Sequence, residues 1–533
     1  MSAGRLQVVC GIAAVLPGPS ALTEDDVERG RRAVGCLRHR GPDDRGEHSV
    51  AGRWLGHARL SIVDLDTGHQ PLVAADGWAM VGNGEVYNHA EIREALVAEG
   101  LPADAYRTRS DNEAVLHLVR TRGPRGLTAV RGMLGTVVVG PDGTEVVFRD
   151  ALGIKPLYWA RRDDGSRVVA SEMGAFDDAD LPLVEAFPPG HVWVREPGAE
   201  HGTLTAVVDP VPVADDAVLD GWDGLGEAPE TVLKEVRDRL ITAVERRMLG
   251  DVPVGVFLSG GLDSSLVAVV MARWCAERGR TLPSFAVGTP GSPDLAAARV
   301  VAEHLGTDHH EVEVDGQDLV DALPEVVGVI EHYDPALVRS AVPNLFLARL
   351  AAQHVKVVLT GEGADELFAG YAYLDELHDD HDALHAELVR TVRGLHDLNL
   401  QRADRTTMNV GLEARVPFLD LEVVALGLAL PPAAKSVLGG ERMEKHLLRR
   451  AFDGWLPEEI LWRKKAQFGD GSGAAVELSD VAASWVDEQD WESGDDVVDP
   501  PARTREELAY ARIWRERFPG LRSQQVLSLT PTT

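Results

Sequence analysis

The chain has 533 residues, of which 44% are hydrophobic and 26% charged, a composition typical of a globular protein with two or three domains. No apolar run approaches the ~18 residues of a transmembrane helix, and the net charge of −32 opposes nucleic-acid binding over most of the surface. Three cysteines in so long a chain fit a reducing cytoplasm and exclude a disulfide framework.

The first apolar stretch, QVVCGIAAVL at residues 7–16, allows two interpretations. An apolar run after a single arginine resembles an export signal, whereas a cysteine followed by Gly-Ile could be a nucleophile. Gly11 interrupts the run, and Val9 stands where a lipoprotein cleavage site prefers a small residue. Both features weigh against export.

Short alternating strands separated by turns fill the residues up to about 196, among them 52–65 and 78–88. GPDGTE at 140–145 predicts a hairpin turn between two of them. This pattern indicates an α+β or layered antiparallel domain. Residues 197–229 are dense in Pro, Gly and Asp and predict a linker.

The second half has a different pattern. An amphipathic helix is predicted from residue 230 to Gly250, and the apolar strands VPVGVF, LPSFAVG and VKVVLT then alternate with helices. Such alternation predicts a parallel, doubly wound α/β sheet. The acidic stretch at 487–501 predicts a solvated loop before a last helix around residues 505–518.

The segment SGGLDSS, residues 259–265, follows a buried strand and precedes an apolar helix. Glycines allow close backbone approach, and hydroxyls and free N–H groups at a helix start suit a phosphate, although no Walker Gly-Lys-Ser/Thr follows. Asp263 would repel that phosphate unless a divalent cation lay between them. Asp365 follows a second strand that should end at the same sheet edge, so both carboxylates are predicted to share one Mg²⁺.

Over nearly its full length the chain resembles the glutamine-hydrolysing asparagine synthetases. SGGLDSS, SFAVGTPGSPDLAAA, EGADELFAGY, GLEARVPFLD, MEKHLLRRAF and RKKAQFGDGSG stand in that family's order and spacing. The resemblance implies an N-terminal-nucleophile glutaminase of layered αββα fold at 10–196, a linker at 197–229, and an ATP-pyrophosphatase domain at 230–533. It also implies a ligase of asparagine biosynthesis that uses glutamine, ATP and Mg²⁺.

For the second domain, the resemblance assigns the ATP site, the reacting centre and the acceptor site. Glu362 would be an acid/base beside an acyl-adenylate, Lys465 would stabilise the transferring phosphoryl region, and Arg339 and Arg402 would hold the acceptor. The implied nucleotide contacts are Leu258, Ser259, Gly260, Gly261, Asp263, Ser264, Ser265, Val287, Thr360 and Gly361.

For the first domain, the resemblance rests on LRHRGPDD, LGHARLSIVDLDTGHQPL and GNGEVYN. Cys10 would be the nucleophile, with Asn83 and Gly84 as the oxyanion hole. The remaining implied glutamine contacts are Arg59 to the α-carboxylate, Asp111 to the α-ammonium, and Glu85 as an orienting group.

In this family the α-amino group of the cysteine is the base, yet nine residues precede Cys10. Either a propeptide is removed, or translation starts at Val9, whose codon can be GTG, and loss of the initiator exposes Cys10. The second route is favoured because residues 2–9 contain no evident processing site.

The acceptor is left open between aspartate and another carboxylic acid. Ala336 stands where the family has threonine, Thr391 replaces a lysine, and Asn399 replaces an aspartate, although Asp397 could substitute for it.

Two other kinds of function stay open. The chain could also be an ammonia-only or regulatory homologue, or a tRNA-modifying enzyme, although the acidic net charge opposes tRNA binding. We expect small-molecule partners, with no binding to nucleic acid or membrane, and a cytoplasmic location. The resemblance also implies the homodimer that is common in the family.

Overall fold

A computed structural model describes residues 10–18, 20–212, 217–219, 221–437, 440, 442–464, 475–493 and 499–530. Among these residues, no helix combines the length and the apolar character that crossing a membrane requires.

The N-terminal half is built on two six-stranded antiparallel sheets, with strand orders β10-β8-β9-β1-β3-β2 and β12-β11-β7-β6-β5-β4. The strands are β1 (Gly11–Leu16), β2 (Asp44–Val50), β3 (Arg53–Arg59), β4 (Leu72–Val73), β5 (Ala79–Val86), β6 (Gly132–Val139), β7 (Glu145–Arg149), β8 (Tyr158–Arg161), β9 (Arg167–Ala170), β10 (Val184–Ala186), β11 (His191–Arg195) and β12 (Thr203–Ala206).

The two sheets pack face to face, and helices cover their outer faces. Alternate residues of β1 and β5 that point inward, such as Ile12 and Val81, join one apolar cluster between the sheets. Helix α1 (Glu24–Cys36) packs on the first sheet, and α2 (His89–Ala98) and α3 (Asn112–Arg122) pack with the second. The predicted layered αββα fold is confirmed, as is the hairpin that joins β6 to β7.

The second sheet extends into the predicted linker. Strand β12 pairs with β11 in antiparallel register, His191 opposite Ala206. The prediction that 197–229 is entirely linker is therefore wrong for Thr203–Ala206, because ladder hydrogen bonds with β11 hold this exposed strand at the sheet edge.

The C-terminal half is built on a five-stranded parallel sheet of order β15-β14-β13-β16-β17, which confirms the predicted doubly wound α/β fold. Its strands are β13 (Val254–Phe257), β14 (Pro283–Gly288), β15 (Asp308–Glu313), β16 (Val357–Leu359) and β17 (Glu413–Arg415). Its helices are α4 (Glu230–Arg246), α5 (Leu262–Ala276), α6 (Pro293–Leu305), α7 (Gly316–Asp321), α8 (Leu323–Ile330), α9 (Pro335–Ala351), α10 (Ala364–Phe368), α11 (His381–Gly394), α12 (Asn399–Met408), α13 (Leu421–Ala429), α14 (Pro432–Lys435), α15 (His446–Ala451), α16 (Glu458–Leu461), α17 (Ala475–Ser484), α18 (Glu488–Ser493) and α19 (Arg505–Arg517).

Helices cover both faces of this sheet. Val256 of β13 packs into the cluster that contains α4, α5 and α6, whereas its neighbour Phe257 packs into the cluster that contains α8, α9 and α19. Helix α4 ends at Arg246 and not at Gly250, since residues 247–248 form a turn. The last helix is confirmed as α19, but the predicted loop at 487–501 contains the short helix α18 at Glu488–Ser493.

Buried ion pairs join the two halves. Each pair has one partner in the N-terminal half and one in the C-terminal half: Arg40 with Asp404 at 2.9 Å, Lys155 with Glu413 at 3.2 Å, and Glu85 with Arg415 at 3.4 Å. Removing one member of a buried pair costs about 3–5 kcal/mol, so these contacts fix how the halves sit against each other.

Candidate active sites

Cys10 lies immediately before β1, facing the C-terminal end of β3. Its Sγ accepts a hydrogen bond from the Leu60 amide at 3.4 Å and lies 3.6 Å from the Leu60 carbonyl oxygen. Burial, reinforced by the nearby carboxylates of Glu413 and Glu85, raises the pKa of the Cys10 thiol to about 12. The sulfur is therefore protonated at neutral pH and needs a base before it can act as a nucleophile.

Asn83 and Gly84 lie on β5. The Asn83 side-chain amide is fully buried, and neither its nitrogen nor its oxygen has a hydrogen-bond partner within the described ranges. Gly84 has φ of 131°, and a Cβ there would lie 1.8 Å from the Met133 carbonyl oxygen, so the position requires glycine. Asn112 donates to the Gly84 carbonyl at 2.9 Å and fixes this stretch. The orphan Asn83 donor suits a developing oxyanion.

The predicted glutamine contacts have different surroundings. The Arg59 guanidinium donates to the backbone oxygens of Asp64 at 2.6 Å and Val63 at 3.3 Å, which hold it beside the Cys10 segment. The buried Asp111 carboxylate accepts from the Val86 amide at 2.6 Å, and burial raises its pKa.

Glu85, predicted to orient glutamine, is paired across the interface with Arg415. Burial, together with Asp111 and Glu413, raises the pKa of Glu85 well above its usual range. Its contact with the second half was not evident from the sequence.

The SGGLDSS segment forms the turn between β13 and α5, with Gly261 as the N-cap residue of the helix. The predicted contacts Ser259, Gly261, Asp263 and Ser264 line a cavity of about 1270 Å³. Two predicted contacts do not line that cavity. Gly260 has a φ of 70° and packs against α6, since a Cβ at this position would lie 2.5 Å from the Ala298 nitrogen. Ser265 is buried, and its hydroxyl donates to the Gly261 carbonyl at 2.7 Å.

The second predicted loop, after β16, reaches the same cavity. A Cβ on Gly361 would lie 2.8 Å from the Cβ of Asp263, so the two loops are in close contact, as the parallel sheet predicts. The remaining predicted residues that line the cavity are Leu258, Val287, Arg339, Thr360, Gly361, Glu362, Asp365 and Arg402. Lys465 falls outside the described residues.

Asp263 and Asp365 converge, and a lysine lies between them. Lys445 Nζ is 2.5 Å from Asp263 Oδ2 and 2.6 Å from Asp365 Oδ1, and its side chain is 2% exposed. Burial alone would lower the pKa of Lys445, but the two carboxylates raise it above its usual range. Within the described ranges, no cluster of three or more His, Cys, Asp or Glu side chains could hold a metal ion.

Both predicted acceptor arginines are paired with carboxylates. Arg402 on α12 contacts Glu362 at 2.5 Å and also donates to the Ser340 hydroxyl at 3.0 Å. Arg339 on α9 contacts Glu506 of α19 at 2.6 Å. An incoming carboxylate therefore competes with internal carboxylates for these guanidinium groups.

The three departures from the family pattern, Ala336, Thr391 and Asn399, all line the cavity. Asp397 is not among the lining residues, and its carboxylate accepts from the Ser528 hydroxyl at 2.5 Å. The possibility that Asp397 substitutes for the missing aspartate is therefore wrong.

The sequence did not indicate Lys445, Arg415 and Asn112 as functional residues. Lys445 and Arg415 are buried and stand in two of the family segments, MEKHLLRRAF and GLEARVPFLD, where charged residues interrupt an apolar pattern. A charged residue inside an apolar pattern could have identified Lys445 and Arg415, because a buried charge needs a specific partner. Asn112 follows Asp111 directly and carries no comparable signal.

Comparison with known proteins covers both halves. A family model described as asparagine synthase matches residues 235–379 and 372–529, and one described as a glutamine amidotransferase domain matches residues 9–186. Glutamine-hydrolysing asparagine synthetase 1 of Lotus japonicus is 38% identical over 530 residues, 96% of this chain and 86% of the relative. Glutamine-hydrolysing asparagine synthetase 3 of Arabidopsis thaliana is 38% identical over 533 residues, 96% and 88% of the two chains.

Proposed function

Because this chain belongs to the asparagine synthase family, we propose that it converts aspartate to asparagine, using ATP and the amide nitrogen of glutamine. The observation that carries this proposal is the shared cavity, in which the turn after β13 contacts the loop that bears Glu362 and Asp365. The relatives that match over most of their length are asparagine synthetases, so a different acceptor acid is not favoured.

In the first half, the proposed reaction is attack of the Cys10 sulfur on the glutamine carboxamide. The α-amino group of Cys10 takes the thiol proton and passes it to the leaving nitrogen, so that ammonia departs and a thioester remains. Water then hydrolyses the thioester to glutamate. A thiol with a raised pKa supports the need for this adjacent base.

The remaining first-half residues would bind and polarise glutamine. The Asn83 amide, with the Gly84 N–H, would donate to the oxygen that becomes negative in the tetrahedral intermediate. Arg59 would hold the α-carboxylate and Asp111 the α-ammonium. The Asn83 amide, unpartnered among the described residues, supports this assignment because no internal bond must break first.

In the second half, a side-chain carboxylate oxygen of aspartate would attack the α-phosphorus of ATP, and pyrophosphate would leave. Ammonia would then attack the acyl carbon of the adenylate and expel AMP. Ser259, Gly261 and Ser264 would bind phosphate, Glu362 would accept a proton from the attacking ammonia, and Lys465 would offset charge on the phosphoryl group.

Asp263 and Asp365 fit Mg²⁺ as hard oxygen donors that converge on one point, where Lys445 Nζ contacts both. These two carboxylates would hold the ion, which when bound would neutralise negative charge on the phosphates of ATP. Lys445 would hold the two carboxylates together when the nucleotide is absent.

The experiment that tests this function is product analysis. Incubation of a chain beginning at Cys10 with glutamine, aspartate, ATP and Mg²⁺ should give asparagine, glutamate, AMP and pyrophosphate. If ammonia with ATP and aspartate yields no asparagine, the proposal is wrong.

We further propose a cytoplasmic location and a homodimer. Cell fractionation tests the location, and light scattering of the purified protein tests the oligomeric state.

A further inference from the structure

The cavity in the second half is lined by ten carboxylates, and within the described residues eight of them contact a lysine or arginine. The pairs are Asp263 and Asp365 with Lys445, Asp294 with Arg463, Glu362 with Arg402, Glu387 with Arg390, Glu444 with Arg449, Glu506 with Arg339, and Glu507 with Arg503. The remaining two are Glu366 and Glu376. Glu376 is exposed, whereas Glu366 is only 2% exposed.

Glu366 is fixed by neutral donors. Its Oε1 accepts from the Tyr371 hydroxyl at 2.5 Å and from the Asn399 side-chain amide at 3.2 Å, and that amide lies 3.0 Å from the Tyr371 oxygen. These bonds orient the carboxylate without neutralising it. A buried carboxylate that faces a cavity and has no basic partner is suited to a cationic ligand.

The neighbours of Glu366 define what kind of cation fits. Asn399 begins α12, and Arg402 lies one helical turn further along, with its guanidinium on Glu362 and on the Ser340 hydroxyl. An anionic group and a cationic group therefore lie side by side on one wall of the cavity. This arrangement complements the adjacent ammonium and carboxylate of a free amino acid.

We propose that Glu366 binds the α-ammonium of the acceptor aspartate, and that Tyr371 and Asn399 position its carboxylate to do so. This inference rests on the proposed function and adds the residue that distinguishes an amino acid from a simple dicarboxylate. In this chain the residue at position 399 supports the binding carboxylate, because an amide can donate to Glu366 where an aspartate would repel it.

The test is the variant Glu366→Gln, with Glu376→Gln as the matched control on the same cavity. Ammonia-dependent asparagine formation is measured as aspartate and ATP are varied, and succinate, which lacks the amino group, is measured as a competitive inhibitor. We expect the KM for aspartate to rise about ten- to a hundredfold, the loss of one charge-assisted bond. The KM for ATP and the Ki for succinate should stay unchanged, and Glu376→Gln should match the parent.

A second variant keeps the inference testable if Glu366→Gln does not fold. Asn399→Ala should raise the aspartate KM about two- to tenfold, the loss of one neutral-donor bond, again with an unchanged succinate Ki. The inference is overturned if Glu366→Gln retains the parent's aspartate KM, or if the succinate Ki worsens in parallel. If the parent itself makes no asparagine from aspartate, ammonia and ATP, the proposed function fails and the inference falls with it.

Discussion

The two candidate sites are prepared for their substrates in different ways. Around Cys10 three of the key groups are uncharged or backbone-held: a protonated thiol, an Asn83 amide with no described partner, and an Arg59 guanidinium on carbonyl oxygens. Glu85, paired with Arg415, is the exception. In the second cavity the corresponding groups are ions already paired with each other, such as Arg402 with Glu362. At the first site the Asn83 amide can bind the substrate oxygen without breaking a bond within the described residues, whereas the arginines of the second site must exchange internal ion pairs for substrate ions.

The largest predicted effect is the loss of glutamine-dependent activity while ammonia-dependent activity remains, which separates the functions of the two sites. In a chain beginning at Cys10, Cys10→Ala should lower glutamine-dependent asparagine formation by about a thousandfold or more, because no other group forms the thioester. Ammonia-dependent formation should remain close to that of the parent. Cys36→Ser, at an exposed cysteine, is the control. Equal loss of both activities would contradict the separation.

The second-largest predicted effect tests whether the Asn83 side-chain amide is an oxyanion donor that has no internal hydrogen-bond partner. Asn83→Leu should lower glutaminase kcat by about a hundred- to a thousandfold, as expected for loss of an oxyanion donor. Because the buried amide has no described partner, its removal should leave the free energy of unfolding unchanged or about 1 kcal/mol higher. Kinetics and urea denaturation measure the two quantities. A variant that loses stability by several kcal/mol would show that the amide has a structural partner.

The paired character of the second site is tested at Lys445. Lys445→Met leaves two carboxylates side by side and should lower the free energy of unfolding by about 3 kcal/mol. Mg²⁺ should restore part of this loss, since it can take the place of the ammonium group. Lys234→Met, which removes an exposed pair with Asp238, should cost less than about 1 kcal/mol. Lack of Mg²⁺ rescue would argue against metal binding by the two aspartates.

The smallest effect concerns the reactivity of Cys10. Its pKa, raised to about 12, keeps the thiolate a minor species, so alkylation by iodoacetamide should accelerate about tenfold per pH unit between about pH 6 and 9. An ordinary thiol would level off above about pH 8.5. A background lacking Cys36 and Cys275 isolates the signal. The full 533-residue chain is used, because the α-nitrogen of Cys10 is an amide there and not a free base. A plateau within this range would then show that Cys10 is activated without its amino group.

Periodicity and turn chemistry were sufficient to predict the layered first half and the parallel second sheet. The strand before SGGLDSS and the strand before Thr360 end at one edge, so the contact between their loops followed from topology alone. Strand β12 was not predictable in the same way. Its exposed residues are held by backbone pairing with β11, which leaves no hydrophobic pattern in the sequence.

The ion-pair partners of charged residues were the main feature that could not be predicted from the sequence. Asp263 and Asp365 were correctly placed together, but Lys445 is 80 or more positions away from each, and nothing in its spacing indicates the contact. The pairing of Glu85 with Arg415 likewise depends on how the two halves dock. Long-range ion pairs are set by tertiary packing, which local patterns do not encode.

If the two sites work as one enzyme, nitrogen passes from glutamine at Cys10 to aspartate in the second cavity. The most direct measurement supplies a chain beginning at Cys10 with aspartate, ATP and glutamine that carries heavy nitrogen in its amide, in the presence of a large excess of unlabelled ammonium. Mass spectrometry then gives the labelled fraction of the asparagine formed. Direct transfer between the sites should give asparagine labelled far above the proportion of label in the bulk ammonia. Asparagine labelled only to that proportion would show that the nitrogen mixes with the solvent first.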